Sequence, residues 1–242
     1  MNHRPRPRKY RGFTLVELAV AIFIIALLLG SILVPLATQI EQRQVNEAQK
    51  TLDEIRDALM GFASANGYLP CPDLQVGASA NDGAEDRVAG ICSANVGGGR
   101  AAGNLPWATL GIANQDVWGN RFRYTVMSAF AQSAPATVFG ASTASDLRVC
   151  PSAACTGGTE LVTDAVAVVI SHGKNGLGAI SAATNAANMA PVATDELENT
   201  DNDRDAVSRI QSNVEATAFD DIVVWLPRYI LLNRLYATGR LP

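Results

Sequence analysis

The chain has 242 residues, 48% of them hydrophobic and 17% charged, which is enough for one or two domains with a buried core. Five of its 19 basic residues precede position 13, so the remainder carries 14 basic and 23 acidic residues, a formal charge of -9. This acidic balance disfavours nucleic acid as the main partner.

The first element, residues 1–12, is a basic leader that contains no acidic residue and ends at Gly12. Positive charge beside an apolar segment is retained on the cytoplasmic side of a membrane, so we expect the rest of the chain to be exported. An ordinary secretory signal carries its cleavage site after the apolar region, whereas Gly12 stands before it. The leader charges are Arg4, Arg6, Arg8, Lys9 and Arg11.

A long apolar segment follows from Phe13 to Ala37, and Glu17 is its single charged residue. The segment has about the length that crosses a hydrocarbon core, so residues 13–40 are predicted to form a transmembrane helix. A carboxylate in such a segment is costly unless it has a partner, which makes Glu17 a functional candidate. The alternative is an inert anchor whose glutamate reaches toward the lipid headgroups.

Residues 41–66 continue the helix in amphipathic form. Apolar residues recur there in alternating steps of three and four, which predicts one buried stripe. The stripe is short for a free coiled coil, so packing on the protein's own sheet is favoured. Gly67 is the expected end of the helix. The stripe consists of Val45, Ala48, Leu52, Ile55, Leu59 and Phe62.

The remaining residues, 67–242, are predicted to form one globular domain. Region 77–104 is rich in glycine, alanine, serine and asparagine and is expected to be a long surface loop. Strands are predicted at 122–126, at 165–170, which is apolar throughout and therefore central, and at 222–226. The fold class is α+β, with the long helix packed on a small, mainly antiparallel sheet. A terminal helix is expected to bury Ile230, Leu231, Arg234 and Leu235.

The four cysteines all lie beyond the apolar segment, where an exported chain meets an oxidising compartment. Two disulfides are therefore expected, and three connectivities are open. The pairs Cys71–Cys92 and Cys150–Cys155 close the shortest loops and are the predicted ones. A metal site formed by the cysteines is disfavoured because no C-x-x-C spacing occurs and His172 is the one histidine outside the leader.

The sequence RGFTLVEL, from Arg11 to Leu18, resembles the leader and first turns of type IV prepilins and pseudopilins. The resemblance implies that a prepilin peptidase cuts after Gly12 and methylates the new amino terminus at Phe13. The apolar helix would then serve as an anchor and later as an assembly surface, with Glu17 pairing with the amine of a neighbouring subunit. The implied partners are other pilin or pseudopilin subunits, the peptidase, the assembly platform of the inner membrane and membrane lipid.

Two further segments are similar to the major pseudopilins of type II secretion. One is Trp-Gly-Asn at 118–120, which is followed by aromatic residues. The other is a serine-led turn followed by the acidic loop 195–205, whose oxygen ligands suit a hard cation such as calcium. Asparagine stands at position 175, where the family has an aspartate, and the alternative is a solvated acidic loop. The matched candidate ligands are Ser171, Asn175, Asp201 and Asp203.

The sequence therefore predicts a structural subunit of a type IV pilus or a type II secretion pseudopilus, with a body large enough to suggest a minor subunit. One alternative is an adhesive or DNA-uptake module that uses Arg121, Arg123 and Trp118. Another is a periplasmic enzyme that uses His172. Catalysis is disfavoured because Ser171 and His172 are adjacent on a strand and point to opposite faces, and no hydrolase or phosphate-binding motif occurs. No catalytic residue is expected.

Overall fold

The computed structural model describes residues 12–77, 80–135, 139–214 and 217–241, without the side chains of residues 31–37. The predicted leader up to Arg11 lies outside the described residues, and so do the last side chains of the predicted apolar segment. Helix α1 spans Leu15–Asn66. The chain divides into two compact units between Gln44 and Val45.

The first unit contains the amino-terminal part of α1. Every described side chain from Phe13 to Leu29 is exposed, most of them by more than half. Among the described residues, no helix combines the length and the apolar character that crossing a membrane requires. The exposed apolar surface is far larger than a soluble monomer normally carries, and such surface marks an interaction site.

The second unit contains the rest of α1, and its buried stripe confirms the predicted amphipathic pattern. The deepest positions are 1% exposed or less and belong to the same core as the sheet. Phe62 is only half-buried and meets Tyr68 edge-on, with ring centroids 5.9 Å apart. The helix ends where Gly67 takes a positive φ of 84°, as predicted. The buried stripe consists of Ala48, Leu52, Ile55, Leu59 and Ala63.

The body of this unit is a seven-stranded sheet. The strands are β3 Asn95–Gly97, β4 Arg100–Asn104, β5 Arg123–Met127, β6 Leu147–Cys150, β7 Val162–Ser171, β8 Asp205–Val207 and β9 Ile222–Pro227. All of the strand pairs are antiparallel except the parallel pair β6–β8. A separate two-stranded ribbon contains β1 Arg87–Val88 and β2 Ile91–Cys92. The short helices are α2 Trp107–Leu110, α3 Thr194–Glu198 and α4 Arg228–Ala237.

Strand β7 is central, as its apolar sequence predicts, because it pairs with β5, β6 and β9. Residues from Ala165 to Ser171 are all buried, so both faces of the strand are covered. A strand covered on both faces needs apolar residues at successive positions. The α+β prediction of a long helix on a mainly antiparallel sheet is confirmed.

Region 77–104 is not one long loop, contrary to the prediction. It contains four short strands, and β4 joins the main sheet by pairing with β5 from Arg100–Met127 to Asn104–Arg123. A side chain at Gly103 would place its Cβ 2.3 Å from the backbone oxygen of Asp73. The small residues of β4 therefore reflect close packing of two chain segments, which composition alone does not distinguish from a loop.

The buried face of α4 also differs from the prediction. Leu231, Leu232 and Leu235 are buried, while Ile230 is 55% exposed and Arg234 is exposed. The buried face is therefore centred on Leu232 and Leu235, which turns Ile230 and Arg234 outward. The terminal helix itself is present where it was expected.

Both predicted cysteine pairs lie at disulfide distance. The Cα atoms of Cys71 and Cys92 are 5.2 Å apart, and those of Cys150 and Cys155 are 5.4 Å apart. The first bridge joins the segment after α1 to the ribbon that ends at β2. It therefore closes a loop, with a sequence separation of 21, that includes the first part of region 77–104.

Asp73, beside this bridge, is a buried acid with one unsatisfied oxygen. Its Oδ2 accepts a hydrogen bond of 3.1 Å from the Gly83 N–H, while its Oδ1 has no partner among the described residues. Burial raises the pKa of Asp73 to about 7, against the effect of the Gly83 hydrogen bond and with help from the charges of Asp82 and Asp86.

Asp73→Asn is expected to remove a pH-dependent loss of stability. The folded chain keeps this carboxyl protonated up to about pH 7, while the unfolded chain ionises it near its ordinary pKa of 3.8, so stability falls as the pH rises from about 4 to about 7 and levels off above that. With solvent screening taken into account, the wild type should lose about 1–2 kcal/mol more than the variant between pH 5 and pH 8. Urea unfolding of the detergent-solubilised chain measures the difference. Asp57→Asn, which removes an exposed carboxylate, is the control, and parallel pH profiles would contradict the prediction.

Candidate functional sites

The amino terminus of α1 is closed by a reciprocal pair of side chains. The backbone N–H and the hydroxyl of Thr14 each donate to Glu17 Oε2 at 2.9 Å. In return, the Glu17 N–H donates to Thr14 Oγ1 at 3.2 Å. Because α1 begins at Leu15, Thr14 is the N-cap and Glu17 closes a capping box. The T-x-x-E spacing is present in the sequence, but the prediction for Glu17 rested on its charge in an apolar segment and on the prepilin-like motif, and it did not include Thr14.

The two residues before this box are accessible. Gly12 is exposed, and Phe13 is 84% exposed. Both precede the first helical residue, so the peptide bond between them lies in non-helical backbone that is accessible to an enzyme. A Cβ at position 12 would meet no described atom within 4 Å, so the packing of the described chain does not require glycine there.

The four predicted calcium ligands lie in different surroundings. The Ser171 hydroxyl donates to Asp116 Oδ2 at 2.7 Å in the core. The Asn175 amide donates to Glu196 Oε1 at 3.0 Å. Asp201 Oδ1 accepts from the Asp203 N–H at 3.0 Å in the loop after α3.

Asn175 borders a buried group of three carboxylates, Glu196, Asp220 and Asp221, which we call the acidic cluster. One carboxylate oxygen of each lies within 4.8 Å of the others. Glu196 and Asp221 are 1% and 4% exposed. Glu196 Oε2, Asp220 Oδ1 and Asp221 Oδ1 have no hydrogen-bond partner among the described residues. Three unsatisfied anionic oxygens in one buried place fit a bound hard cation.

The remaining oxygens of the acidic cluster are held by hydrogen bonds. Glu196 Oε1 accepts from the Asp220 N–H at 3.1 Å as well as from Asn175. Asp220 Oδ2 accepts from the Asn175 N–H at 2.8 Å, and Asp221 Oδ2 accepts from the Asn199 amide at 2.7 Å. Burial, followed by the charges of Asp221 and Glu196, raises the pKa of Asp220 to about 6. The side chains are therefore oriented, with one oxygen of each within 4.8 Å of the others, and Asp221 Oδ1 also lies 3.5 Å from His172 Nδ1.

A second carboxylate group contains Glu198, Asp203 and Asp205. Asp205 is already neutralised, because Arg148 donates to both of its oxygens at 2.7 and 2.5 Å. Burial, followed by the charges of Asp201, Asp203 and Asp205, raises the pKa of Glu198 to about 7. With one member bound to an arginine, this group is a poorer cation site than the acidic cluster.

The Trp-Gly-Asn segment closes a turn, and the residue that organises it is Asp116. Asp116 Oδ1 accepts from the N–H groups of Trp118 and Asn120 at 3.0 and 2.9 Å. Gly119 takes a positive φ of 86° within this turn. Trp118 is half-buried and packs against the core, which is the structural role expected of a large aromatic at a turn.

The arginines of the alternative binding patch are buried, whereas a binding patch requires exposed side chains. Arg121 and Arg123 are each 6% exposed. The Arg121 guanidinium stacks 3.8 Å from the ring centroid of Trp107, and Arg123 donates to the backbone oxygen of Thr200 at 2.8 Å. These side chains serve the interior of the body and cannot form a binding patch.

His172, the candidate of the enzyme alternative, is also buried, with 1% of its surface exposed. Its Nδ1 lies 3.5 Å from Asp221 Oδ1, and neither ring nitrogen is hydrogen-bonded among the described residues. Ser171 is bonded to Asp116 instead, so the two neighbours do not form a nucleophile and base pair.

Residues 7–33 match the family model described as the prokaryotic N-terminal methylation motif, the signature of type IV prepilins and pseudopilins. The matched stretch contains Gly12, Phe13, Thr14 and Glu17. The comparisons with curated proteins and with solved structures give no match. The chain therefore carries a prepilin-type amino terminus on an α+β body.

Proposed function

We propose that this protein is a structural subunit of a type IV pilus or a type II secretion pseudopilus. The methylation motif at residues 7–33 carries the proposal, and the exposed apolar helix that follows it supports an assembly role. The chain is inserted in the inner membrane with its amino terminus in the cytoplasm and its body in the periplasm. Prepilin peptidase then removes the leader after Gly12 and methylates Phe13. A minor rather than a major subunit is favoured by the size of the body.

Glu17 gives this assembly its register. An apolar helix surrounded by apolar neighbours can slide along them at little cost, because hydrophobic contact is not directional. A carboxylate in that environment costs several kcal/mol unless a cation reaches it. The methylated amine of Phe13 of the partner subunit is a cation of the right kind at the end of an identical helix. The pair therefore selects one axial position between neighbouring subunits.

The processing step is tested by mass spectrometry of the mature protein from cells that contain the peptidase. We expect an amino terminus at methylated Phe13 and no leader. Gly12→Val should block cleavage, while the control Gly30→Val, in the apolar helix that follows, should be processed normally. A mature chain that begins at Met1, or beyond Ala37, would overturn the proposal.

We further propose that the acidic cluster binds calcium. The observation that supports it is the set of three buried, unsatisfied carboxylate oxygens of Glu196, Asp220 and Asp221. Of the ligands proposed from the sequence, Asn175 borders this cluster and orients two of its members, while Asp203 belongs to the group around Asp205. Calcium here would neutralise the cluster and stabilise the segment before β9.

A further inference from the structure

We propose that Thr14 is a positioning residue for assembly, because it holds one oxygen of Glu17 and leaves the other free for the amine of a neighbouring subunit. This inference rests on the proposed function. It adds a residue whose hydroxyl prepares the carboxylate before the neighbour arrives.

The distribution of hydrogen bonds over the two oxygens is the basis of the inference. Both donors of Thr14, the backbone N–H and the hydroxyl, are directed at Oε2 of Glu17. No described residue donates to Oε1. A carboxylate can accept bonds at both oxygens, so Oε1 keeps its full capacity for one more cationic donor.

The reciprocal bond fixes the geometry. The Glu17 N–H donates to the Thr14 hydroxyl oxygen, so that one hydroxyl acts as acceptor and donor at once. Glu17 is thereby limited to the conformation that points back toward the helix start. A glutamate that is ordered before docking loses less side-chain entropy when the pair forms.

The same arrangement makes the carboxylate tolerable before assembly. Two hydrogen bonds to Oε2, together with the positive end of the helix dipole, favour the charged form at this position. Loss of the hydroxyl would remove one bond from Oε2 and leave the Glu17 N–H without its acceptor. Glu17 would then sample other conformations in both the free and the docked subunit.

The experiment compares Thr14→Val, which keeps the shape but lacks the hydroxyl, with Thr14→Ser, which retains it. The full-length variants are expressed with the assembly machinery, and the fraction of processed subunits that enters sedimentable, cross-linked fibres is measured. Thr14→Val should lower that fraction about five-fold, corresponding to about 1 kcal/mol for the lost hydroxyl bond that holds Glu17. Thr14→Ser should restore it. Mass spectrometry of each variant ensures that only chains cleaved after Gly12 are compared.

Two further variants separate positioning from helix stability. Thr51→Val removes a hydroxyl that bonds to the Glu47 backbone oxygen elsewhere on α1, and it should assemble normally. Thr14→Gly retains a tolerable N-cap but keeps only the backbone N–H bond to Glu17 Oε2, so it should fail as Thr14→Val does. Normal assembly of Thr14→Gly would overturn the inference, because it would reduce the role of Thr14 to capping.

The results that would contradict the proposed function differ from those that would contradict this inference. If the wild type is processed and assembles while Thr14→Val assembles equally well, the inference is wrong and the proposed function stands. If the wild type is not cleaved after Gly12, or forms no multimers with its machinery present, the proposed function itself fails.

Discussion

Glu17→Gln is expected to abolish incorporation into fibres while membrane insertion and leader removal proceed normally. Glutamine has the same shape and can still accept hydrogen bonds from Thr14, so the capping box survives in part. What it lacks is the negative charge that attracts the amine of Phe13 of the partner subunit. Glu17→Ala should fail in the same way, with the added loss of the capping box.

The size of the effect follows from leaving one charge of a desolvated pair without its partner. Breaking such a pair costs about 3–5 kcal/mol, or roughly a hundred- to several thousand-fold in the association constant. Because every subunit repeats the contact, the effect on a long polymer is a loss rather than a reduction. Fibre sedimentation and cross-linking measure it, and mass spectrometry confirms processing.

The matched control is Glu47→Gln, which removes an exposed carboxylate from the same helix. It should assemble like the wild type, since position 47 lies outside the apolar segment. Normal incorporation of Glu17→Gln would contradict the pairing and leave Glu17 as part of the capping box at the start of an anchor.

The sequence predicted the long helix and the central strand correctly for the same physical reason. In the helix, the burial of Leu52, Ile55 and Leu59 requires apolar residues at the helical period, and in the strand, burial on both faces requires them at successive positions. Both patterns are visible in a single chain. The cysteine pairs followed from loop length, which is also a local quantity.

The strands of region 77–104 were not predicted because their sequence has no apolar pattern that would indicate a buried face. Gly103 pairs with Tyr124 across the sheet, and its small size serves the approach of Asp73 rather than the formation of a loop. Close approach is a property of two distant segments. A single sequence shows only that glycine is present.

The acidic cluster was missed for a related reason. Glu196 lies in α3 and Asp220 and Asp221 precede β9, so their meeting depends on tertiary structure. We matched the family pattern along the chain and chose Asp201 and Asp203, which are closer in sequence to the other acids of the loop. Asp116 was overlooked although it opens the Trp-Gly-Asn turn, because its role there needs hydrogen bonds that the sequence does not reveal.

The effect of Glu196→Gln on stability is expected to change sign when calcium is added. Without calcium, the variant should be more stable than the wild type, because glutamine keeps the two hydrogen bonds of Oε1 and removes one of three mutually repelling charges. With calcium, the wild type should be more stable, since a cation bound only to the folded state contributes about 2.7 kcal/mol at a hundred-fold excess over its Kd. This corresponds to a rise in Tm of about 5–10 °C.

Thermal unfolding of the detergent-solubilised chain, with and without millimolar calcium, measures this reversal, and Asn175→Asp tests it from the opposite side. An aspartate there would add a fourth carboxylate next to Glu196, so the variant should be less stable without calcium and gain more from it than the wild type. Glu198→Gln, in the second carboxylate group, is the control and should leave the calcium response unchanged. If calcium leaves the Tm of wild type and Asn175→Asp unmoved, the acidic cluster is a set of buried acids that binds no cation.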